Sequence, residues 1–269
     1  MMNPLKWSKR QYLEWLARRA RQYWISRELI KEIDPENFLE SLKNPDAYYL
    51  RAFQDFHRAL PEALQVHRAY FLIDFRGFGE DAFHSMWWRL FRRFKPTSFL
   101  EIGVYRGQVI SIIALLAKLD ATRCEVTGIS PFSASGDSVS IYRSDLNYLE
   151  DTLTHFKHFG LPEPTLVNAY STDPEALATI ASRTWDMIYI DGNHDYDVAV
   201  RDWEACSKAV KPGGLVILDD SGLSTCYHPP AFATGGHPGP SRLASEIHPE
   251  HFREILQVGH NRVFQKLTA

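Results

Sequence analysis

Residues 98–108 read Ser-Phe-Leu-Glu-Ile-Gly-Val-Tyr-Arg-Gly-Gln. The apolar first half predicts a buried strand, and the pattern that follows predicts a helix near 107–118. Between them stands the spacing E-x-G-x-x-x-G, formed by Glu101, Gly103 and Gly107. Glycine at such a turn lets the backbone approach a ligand, and the first turn of a helix offers free N–H groups. The segment therefore predicts the first strand, ligand-binding turn and helix of an α/β fold.

The same alternation continues toward the C-terminus. Further strands are predicted at 125–129, 165–168, 187–190 and 215–218, and further helices near 143–159, 173–182 and 196–209. Apolar runs at 252–258 and 262–267 flank Gly259-His260-Asn261, which predicts a hairpin. Alternating strands and helices are typical of a parallel sheet covered on both faces. The predicted fold class is α/β, a doubly wound, mostly parallel, Rossmann-like sheet with a C-terminal antiparallel hairpin.

The first part of the chain differs from the rest. Residues 1–80 contain helical stretches separated by prolines and predict an N-terminal helical cap, whereas 81–269 are expected to form the ligand-binding domain. Residues 1–27 hold seven Lys or Arg and one Glu, at spacings that predict an amphipathic basic helix. Such a helix typically has a solvated charged face or forms a contact between subunits. A homo-oligomer that forms through the N-terminal helices is therefore one possibility. Binding to RNA or to a membrane surface is the alternative.

Composition excludes several classes of protein. The chain has 269 residues, of which 45% are hydrophobic and 23% charged, as in a globular protein and unlike a disordered one. Its longest apolar stretch is far shorter than the roughly 20 residues that cross a bilayer, so no membrane association is expected. A net charge of −3 makes nucleic acid an unexpected partner. Three cysteines fit neither a disulfide framework nor a zinc site, and the first residues lack an apolar signal region, so we expect a cytoplasmic protein.

The predicted second strand is followed by Ser130. Nucleotide-binding α/β folds place a carboxylate at this point, where it holds the ribose hydroxyls of the ligand. A serine hydroxyl can form one such bond, without the strength of a charged acceptor. Ser130 is therefore a candidate for ligand binding, and Asp137 in the following loop is a second candidate.

The predicted fourth and fifth strands are both followed by carboxylates, Asp191 after one and the pair Asp219 and Asp220 after the other. The carboxyl ends of parallel strands meet at the ligand-binding edge of a sheet. Three carboxylates repel one another unless a cation holds them, and oxygen ligands suit Mg²⁺, Mn²⁺ or Ca²⁺. The pattern predicts a divalent-cation site. Helix capping or a single salt bridge is the alternative.

His194 stands three residues after Asp191, in the turn before the next helix. An imidazole with an ordinary pKa of about 6.5 accepts a proton near neutral pH. A neighbouring cation is expected to lower this pKa by like-charge repulsion, which keeps the ring neutral. His194 is therefore the predicted general base. Asp191 is the alternative base, and His194 would then cap the helix or contact the ligand.

Together these motifs resemble the class I S-adenosylmethionine-dependent methyltransferases, whose first motif has the same acidic-x-Gly-x-x-x-Gly form. The carboxylates after the fourth and fifth strands resemble those of the metal-dependent macrocin and mycinamicin sugar O-methyltransferases and the related cephalosporin hydroxylase proteins. The resemblance covers residues 98–269. It implies S-adenosylmethionine as cofactor. It also implies that Asp191, Asp219 and Asp220 hold a divalent cation, expected to be Mg²⁺, and that His194 is the base.

The resemblance also implies where the cofactor binds and which reaction occurs. The implied contacts are Glu101, Gly103, Tyr105, Gly107, Ser130, Ser171 and Asp191. The implied activity is metal-assisted O-methylation of a small molecule, such as a sugar, polyol or phenol of a natural product. A cation would stabilise the developing alkoxide and align the hydroxyl with the methyl group. Two alternatives stay open: a cephalosporin-hydroxylase-type protein with another reaction, and a non-catalytic cofactor- or RNA-binding protein.

The segment 221–240 is rich in glycine and proline and is predicted to be one long loop. Its glycines would permit a lid to close over a bound acceptor. We expect the acceptor pocket to draw on side chains from this segment and just beyond it, namely Tyr227, His228, Phe232, His237 and Arg242.

Overall fold

The computed structural model of the protein describes residues 8–137, 139–140 and 142–268, so the start of the basic N-terminal segment, residues 1–7, lies outside the described residues. Within these ranges seven strands form one sheet: β1 (Ser98–Ile102), β2 (Glu125–Ser130), β3 (Thr165–Asn168), β4 (Trp185–Ile190), β5 (Val210–Leu218), β6 (Phe252–Val258) and β7 (Asn261–Lys266).

The strands lie in the order β3-β2-β1-β4-β5-β7-β6. The first five are mutually parallel, whereas β7 pairs antiparallel with both β5 and β6. The predicted fold class, a mostly parallel doubly wound sheet with a C-terminal antiparallel hairpin, is confirmed. Because the strand order reverses beside β1, the carboxyl ends of β1, β2, β4 and β5 surround a crevice of the kind in which α/β proteins bind ligands.

Ten α-helices surround the sheet in the described ranges: α1 (Lys9–Ser26), α2 (Glu40–Lys43), α3 (Pro45–Arg58), α4 (Glu62–Leu72), α5 (Asp81–Phe94), α6 (Gln108–Leu119), α7 (Tyr148–His158), α8 (Pro174–Ala181), α9 (Tyr196–Ala209) and α10 (Pro238–Glu246). Helices α3, α5, α6 and α7 contribute to the core on one face of the sheet, and α8, α9 and α10 to the core on the other. None of the described helices is long and apolar enough for a membrane span.

Most element bounds agree with the sequence predictions, and the differences lie mainly at element starts. β4 begins at Trp185, whose buried indole extends the strand, and β5 begins at Val210 rather than at 215. α7 begins at Tyr148 rather than at 143, because the side chain of Asn147 caps its first turn. These differences leave the carboxyl ends of the strands, where the candidate site lies, unchanged.

The prediction of one long loop over 221–240 is wrong in part. A short 3₁₀ turn occupies Gly222–Ser224, and α10 begins at Pro238. Proline suits the first position of a helix because its φ is already helical and its missing N–H would have no partner there. Glycine and proline content therefore overstates the length of the loop.

The N-terminal helices share their core with the sheet. Trp87 of α5 is buried, and its ring centre lies 6.0 Å from that of Phe99 on β1 and 5.0 Å from that of Tyr189 on β4. Aromatic residues of α3, among them Tyr49 and Phe53, belong to the same core. The helices before the sheet therefore form one wall of the crevice. The division of the chain at residue 80 stays a prediction.

Asp81, at the start of α5, ties the basic helix α1 to this wall. Its carboxylate, 1% exposed, accepts hydrogen bonds from Arg21 at 2.6 Å and Arg68 at 3.1 Å, and lies 3.0 Å from Nε2 of His57. Desolvation acts to raise the pKa of Asp81. The hydrogen bond with His57 and the two guanidinium charges outweigh it, so the pKa lies well below its ordinary value. One carboxylate thus connects α1, α3, α4 and α5.

We predict that Asp81→Ala lowers the free energy of unfolding by about 3 kcal/mol, because it leaves buried positive groups without their partner. Urea denaturation measures this loss. The matched control is Glu14→Ala, which removes the exposed Arg10–Glu14 pair of α1 and is expected to change stability by less than about 0.5 kcal/mol. Equal losses in the two variants would contradict the role given to Asp81.

Candidate active site

A cavity of about 570 Å³ opens at the carboxyl edge of the sheet. Its walls come from the ends of β1, β2, β4 and β5, from α5, from the start of α6 and from the segment before α10. This volume is in the range of cofactor and substrate sites. Of the residues predicted to form the site, the cavity is lined by Glu101, Gly103, Tyr105, Ser130, Ser171, Asp191, His194, Asp219 and Asp220.

Gly103 closes the turn after β1 in a conformation that other residues rarely adopt, with φ of +93°. Its N–H donates to the carbonyl of Ile129 at 2.9 Å, and a Cβ atom here would lie 1.9 Å from the carbonyl oxygen of Asp191. The glycine therefore lets the ends of β1 and β4 come together. A larger residue at position 103 would collide with the protein itself before it met a ligand.

Gly107, a predicted ligand contact, is not among the residues that line the cavity, and its role in binding stays a prediction. Its φ of +80° starts α6, and an added Cβ atom would lie 2.7 Å from a methyl carbon of Thr152 on α7. The glycine is required for close packing between these two helices.

Glu101 is 3% exposed, and its Oε2 accepts the N–H of Ile110 in the first turn of α6 at 2.9 Å. Burial raises the pKa of Glu101 to about 8, the bond to Ile110 lowers it, and the charge of Asp219 raises it further. At neutral pH this carboxyl group is therefore mostly protonated. It supports the turn and helix as well as lining the cavity.

Two further predicted contacts, Ser130 and Tyr105, also line the cavity. Ser130 ends β2 and is 9% exposed. Tyr105 packs between Phe78 and Tyr148, with ring centres 5.1 and 5.4 Å away. Burial and the neighbouring Tyr148 raise the pKa of Tyr105 to about 12, so its hydroxyl remains neutral. These side chains can offer hydroxyl groups and an aromatic face to a ligand.

The three aspartates share this edge but do not form the predicted three-ligand group. Ligand atoms of Asp219, Asp220 and His260 lie within 4.8 Å of one another, and so do those of His194, Asp220 and His237. Among the described residues, Asp191, Asp219 and Asp220 do not form a group whose ligand atoms all lie within 4.8 Å of one another. The reason is that Asp191 points beside Asp219 on one side of the edge, whereas Asp220 lies between the two histidine-containing groups.

Asp191 and Asp219 titrate as a pair. Desolvation raises the pKa of Asp191, and the neighbouring carboxylate of Asp219 raises it further. Desolvation acts on Asp219 as well, but the charge of His260 and a hydrogen bond with it outweigh this effect and lower the pKa of Asp219 to about 2. Asp191 therefore holds the proton of the pair, and Asp219 is ionised.

His194 lies between two carboxylates. Nδ1 is 2.5 Å from Oδ2 of Asp137, which also accepts the backbone N–H of His194 at 2.9 Å, and Nε2 is 2.7 Å from Oδ2 of Asp220. Desolvation acts to lower the pKa of His194, but the bonds to Asp220 and Asp137 outweigh it and raise the pKa to about 9. The expectation of a lowered pKa applies to a ring beside a bound cation and stays a prediction.

Asp137, the second candidate for ligand binding after β2, lines the cavity, and its ligand-binding role stays a prediction. Its carboxylate is only 3% exposed and accepts N–H groups from Val139 and Ser140 as well as from His194. The side chain is therefore committed to orienting His194. No spacing in the sequence indicates this pair, because 57 residues separate its members.

His260 is the main residue that the sequence analysis missed. It lies in the hairpin turn between β6 and β7, is 6% exposed, and its Nε2 is 3.2 Å from Oδ1 of Asp219. Desolvation acts to lower the pKa of His260, but Asp219, Glu80 and Asp220 raise it to about 10. In the sequence, the predicted turn Gly259-His260-Asn261 was the signal that could have pointed to His260. The antiparallel pairing of β7 with β5 places this turn at the carboxyl edge of the sheet.

The segment before α10 contributes less to the cavity than expected. His237 lines it, with Thr234, but Tyr227, His228, Phe232 and Arg242 do not. Tyr227 and Phe232 instead pack against Tyr49 of α3, at ring distances of 5.4 and 6.4 Å. Their aromatic side chains fasten this segment to the N-terminal helices.

Part of the chain matches a known domain family in sequence. Residues 100–221 match a family model described as a methyltransferase domain. An uncharacterised protein of Acanthamoeba polyphaga mimivirus is 23% identical over 125 residues, or 46% of this chain and 51% of that protein. The chain thus matches about half the length of this curated relative.

Solved structures give the same fold. The SAH-bound methyltransferase PaMTH1 of Podospora anserina is 15% identical, with a TM-score of 0.55 over 78% of this chain and 89% of that one. An O-methyltransferase of Bacillus cereus in complex with SAH is 14% identical, with a TM-score of 0.50 over 86% of this chain and 100% of that one. At these identities the likeness shows a shared fold, that of the class I methyltransferases. Both the domain match and this shared fold are with methyltransferases.

The raised pKa of Glu101 predicts a specific pH dependence of stability. Between its unfolded pKa of about 4.5 and its folded pKa of about 8, the folded protein binds more protons than the unfolded chain, so stability falls as pH rises. Glu101→Gln removes this dependence. We expect wild type to lose up to about 1.4 kcal/mol per pH unit relative to the variant between pH 5 and 8, measured by chemical denaturation.

The control for this experiment is Glu125→Gln on β2, whose half-exposed carboxylate has a lowered pKa because of Arg183. A lowered pKa gives a contribution that is already complete above pH 5, so this variant should parallel wild type from pH 5 to 8. A Glu101→Gln curve that also parallels wild type would contradict the raised pKa.

Proposed function

We propose that the protein transfers the methyl group of S-adenosylmethionine to a hydroxyl of a small acceptor, with the help of a divalent cation. The observation that carries the proposal is the convergence of a glycine turn, two adjacent aspartates and an oriented histidine in one cavity. The acceptor class is a sugar, polyol or phenol of the kind found in natural products.

The cofactor is proposed to bind along the carboxyl ends of β1, β2 and β4. The turn at Gly103 offers backbone groups without a side chain, Ser130 offers a hydroxyl, and Tyr105 offers an aromatic face. S-adenosylmethionine carries a positive sulfonium, and the acidic side of the cavity at Asp191 and Asp219 would stabilise it. These contacts, with Glu101 and Ser171, are the site that we propose for the cofactor.

His194 is proposed to accept the proton of the acceptor hydroxyl once a cation bound by Asp220 offsets the negative charge that raises the pKa of His194. Asp137 receives the Nδ1–H, which fixes the ring and leaves Nε2 directed into the cavity. An aspartate that holds a histidine in this way sets its tautomer and stabilises its charged form. Asp220 lies at Nε2 and would share this position with the incoming hydroxyl. Asp137 is a positioning residue, whereas His194 touches the substrate.

The donor set at Asp219 and Asp220 fits a divalent cation. Both carboxylates lie within 4.8 Å of the imidazole of His260, which adds a third donor of a kind common in metal sites. A cation held there would stabilise the alkoxide and orient adjacent hydroxyls of the acceptor. Asp191, predicted as a ligand, is proposed instead to support Asp219 from the side.

The proposal is tested with labelled S-adenosylmethionine, purified protein and a fractionated extract of small metabolites, with and without EDTA. We expect label in a hydroxylated product and loss of transfer with the chelator, restored by added divalent metal. Transfer that persists in excess EDTA would remove the cation from the proposal. Cofactor binding with no transfer to any fraction would favour a different reaction at the same site.

We predict that His194→Ala lowers turnover by roughly 10²- to 10⁴-fold while cofactor affinity changes little, because proton transfer is lost and binding is not. Asp137→Asn should also lower turnover, since an amide no longer holds the ring in one tautomer. Steady-state kinetics and calorimetry with the cofactor measure the two effects. His251→Ala, which changes an exposed histidine away from the cavity, is the control. Full turnover in His194→Ala would assign the base to another group.

A further inference from the structure

We propose that Asp219, Asp220 and His260 form a binding site for a divalent first-row transition metal such as Mn²⁺, in which His260 of the β6–β7 hairpin is the nitrogen ligand. The inference deepens the proposed function, on whose cavity it rests, because it names the third ligand and the class of metal. Its ligand set differs from the three aspartates that the sequence predicts.

The first support is the convergence of the three side chains. Nε2 of His260 lies 3.2 Å from Oδ1 of Asp219 and 3.9 Å from Oδ1 of Asp220. The three side chains are each no more than 15% exposed. They come from β5 and the hairpin turn, which the β5–β7 pairing fixes side by side. A cation bound between these atoms would displace the proton that Nε2 of His260 shares with Asp219.

The second support is the contact that Nδ1, the other ring nitrogen of His260, makes with Thr234. Nδ1 of His260 lies 3.1 Å from the backbone carbonyl oxygen of Thr234. The hydroxyl of Thr234 also lies 3.1 Å from Nδ1. When Nδ1 donates its hydrogen to the carbonyl oxygen, which only accepts, Nε2 is the nitrogen that can bind a cation beside the aspartates. Metal-binding histidines characteristically donate their second ring N–H to such a carbonyl or to a carboxylate.

Thr234 is itself held in position. Its N–H donates to Oε1 of Glu80 at 3.1 Å, and the other oxygen of Glu80 accepts the hydroxyl of Tyr49 at 2.6 Å. The ring of Phe83 packs edge-on against His260 with a centre distance of 4.8 Å. The imidazole is thus fixed by hydrogen bonding on one side and by packing, which is the support that a ligand needs to keep its orientation.

The third support is an unsatisfied oxygen beside the cluster. Asn261 is 1% exposed, and its Oδ1 has no hydrogen-bond partner among the described residues, whereas its Nδ2 donates to Oδ1 of Asp219 at 2.7 Å. A buried acceptor without a partner is costly. Rotation of the amide by half a turn exchanges its nitrogen and oxygen, which would present an oxygen to a cation held by Asp219.

The donor atoms select the class of metal. Mg²⁺ favours oxygen ligands and retained waters in strict octahedral geometry, whereas an imidazole among carboxylates suits Mn²⁺, Fe²⁺, Co²⁺ or Zn²⁺. We therefore expect Mn²⁺ to bind more tightly than Mg²⁺.

A second group of possible metal ligands also contains Asp220, and it supplies the matched control for the binding experiment. The rings of His194 and His237 are tilted by 46° with centres 4.1 Å apart, and these residues complete this group with Asp220. Both histidines are less buried than His260. His237 belongs only to the second group, so a variant at this position separates the two sites.

The test is Mn²⁺ binding to the purified full chain, followed by electron paramagnetic resonance and calorimetry. We expect His260→Ala to weaken Mn²⁺ binding by at least about 100-fold, because loss of a ligand costs more than loss of its outer-shell support. His237→Ala should leave the affinity within about 2-fold of wild type. Circular dichroism and S-adenosylhomocysteine affinity report whether each variant is folded.

Pulsed resonance spectra of the Mn²⁺-bound wild type test the ligand without any substitution, and should show coupling to an imidazole nitrogen. Absence of this coupling, unchanged affinity in folded His260→Ala, loss of affinity in His237→Ala, or equal affinity for Mg²⁺ would each overturn the inference. These readouts do not involve methyl transfer. If Mn²⁺ binding depends on His260 but no methyl group is transferred to any acceptor, the proposed function is wrong and the metal site is still supported.

Discussion

Electrostatic repulsion among carboxyl groups is the constraint on which the candidate site depends. Glu101, Asp191, Asp219 and Asp220 all line one cavity at the carboxyl edge of the sheet, where water screens their charges poorly. Protonation removes the charge of the first two at neutral pH, since their pKa values are raised. The second two face imidazoles, among them His260. Protonation of Glu101 and Asp191 thus leaves the charge of Asp219 after β5, where a cation would bind.

The parallel sheet brings these groups together, and the hairpin supplies what the parallel part lacks. Strands β1, β4 and β5 end at the same edge, so their carboxylates converge whatever their distance in sequence. β7 runs antiparallel beside β5, and its turn therefore delivers His260 to the same edge. The helices before the sheet close the cavity on one side through Trp87 and Glu80. Each wall thus contributes a different kind of group to one small volume.

The fold was largely predictable from sequence, because strand and helix periods are local signals. The strands at 98–102 and 165–168 and the helix at 196–209 have the predicted bounds. The start of α10 was not predicted, because Pro238 is typical both of loops and of first helical turns. The carboxylates after β4 and β5 were recognised because they follow their strands directly. His260 and Asp137 were not assigned to their partners, since those contacts depend on how distant segments pack.

The most direct test of this account is a crystal structure of the protein with S-adenosylhomocysteine and Mn²⁺, with anomalous diffraction at the manganese edge. We predict the cofactor sulfur in the cavity above the Gly103 turn and an anomalous peak ligated by Asp219, Asp220 and His260. A cofactor bound outside this cavity would contradict the account. So would a metal peak that lies away from the carboxyl edge of the sheet.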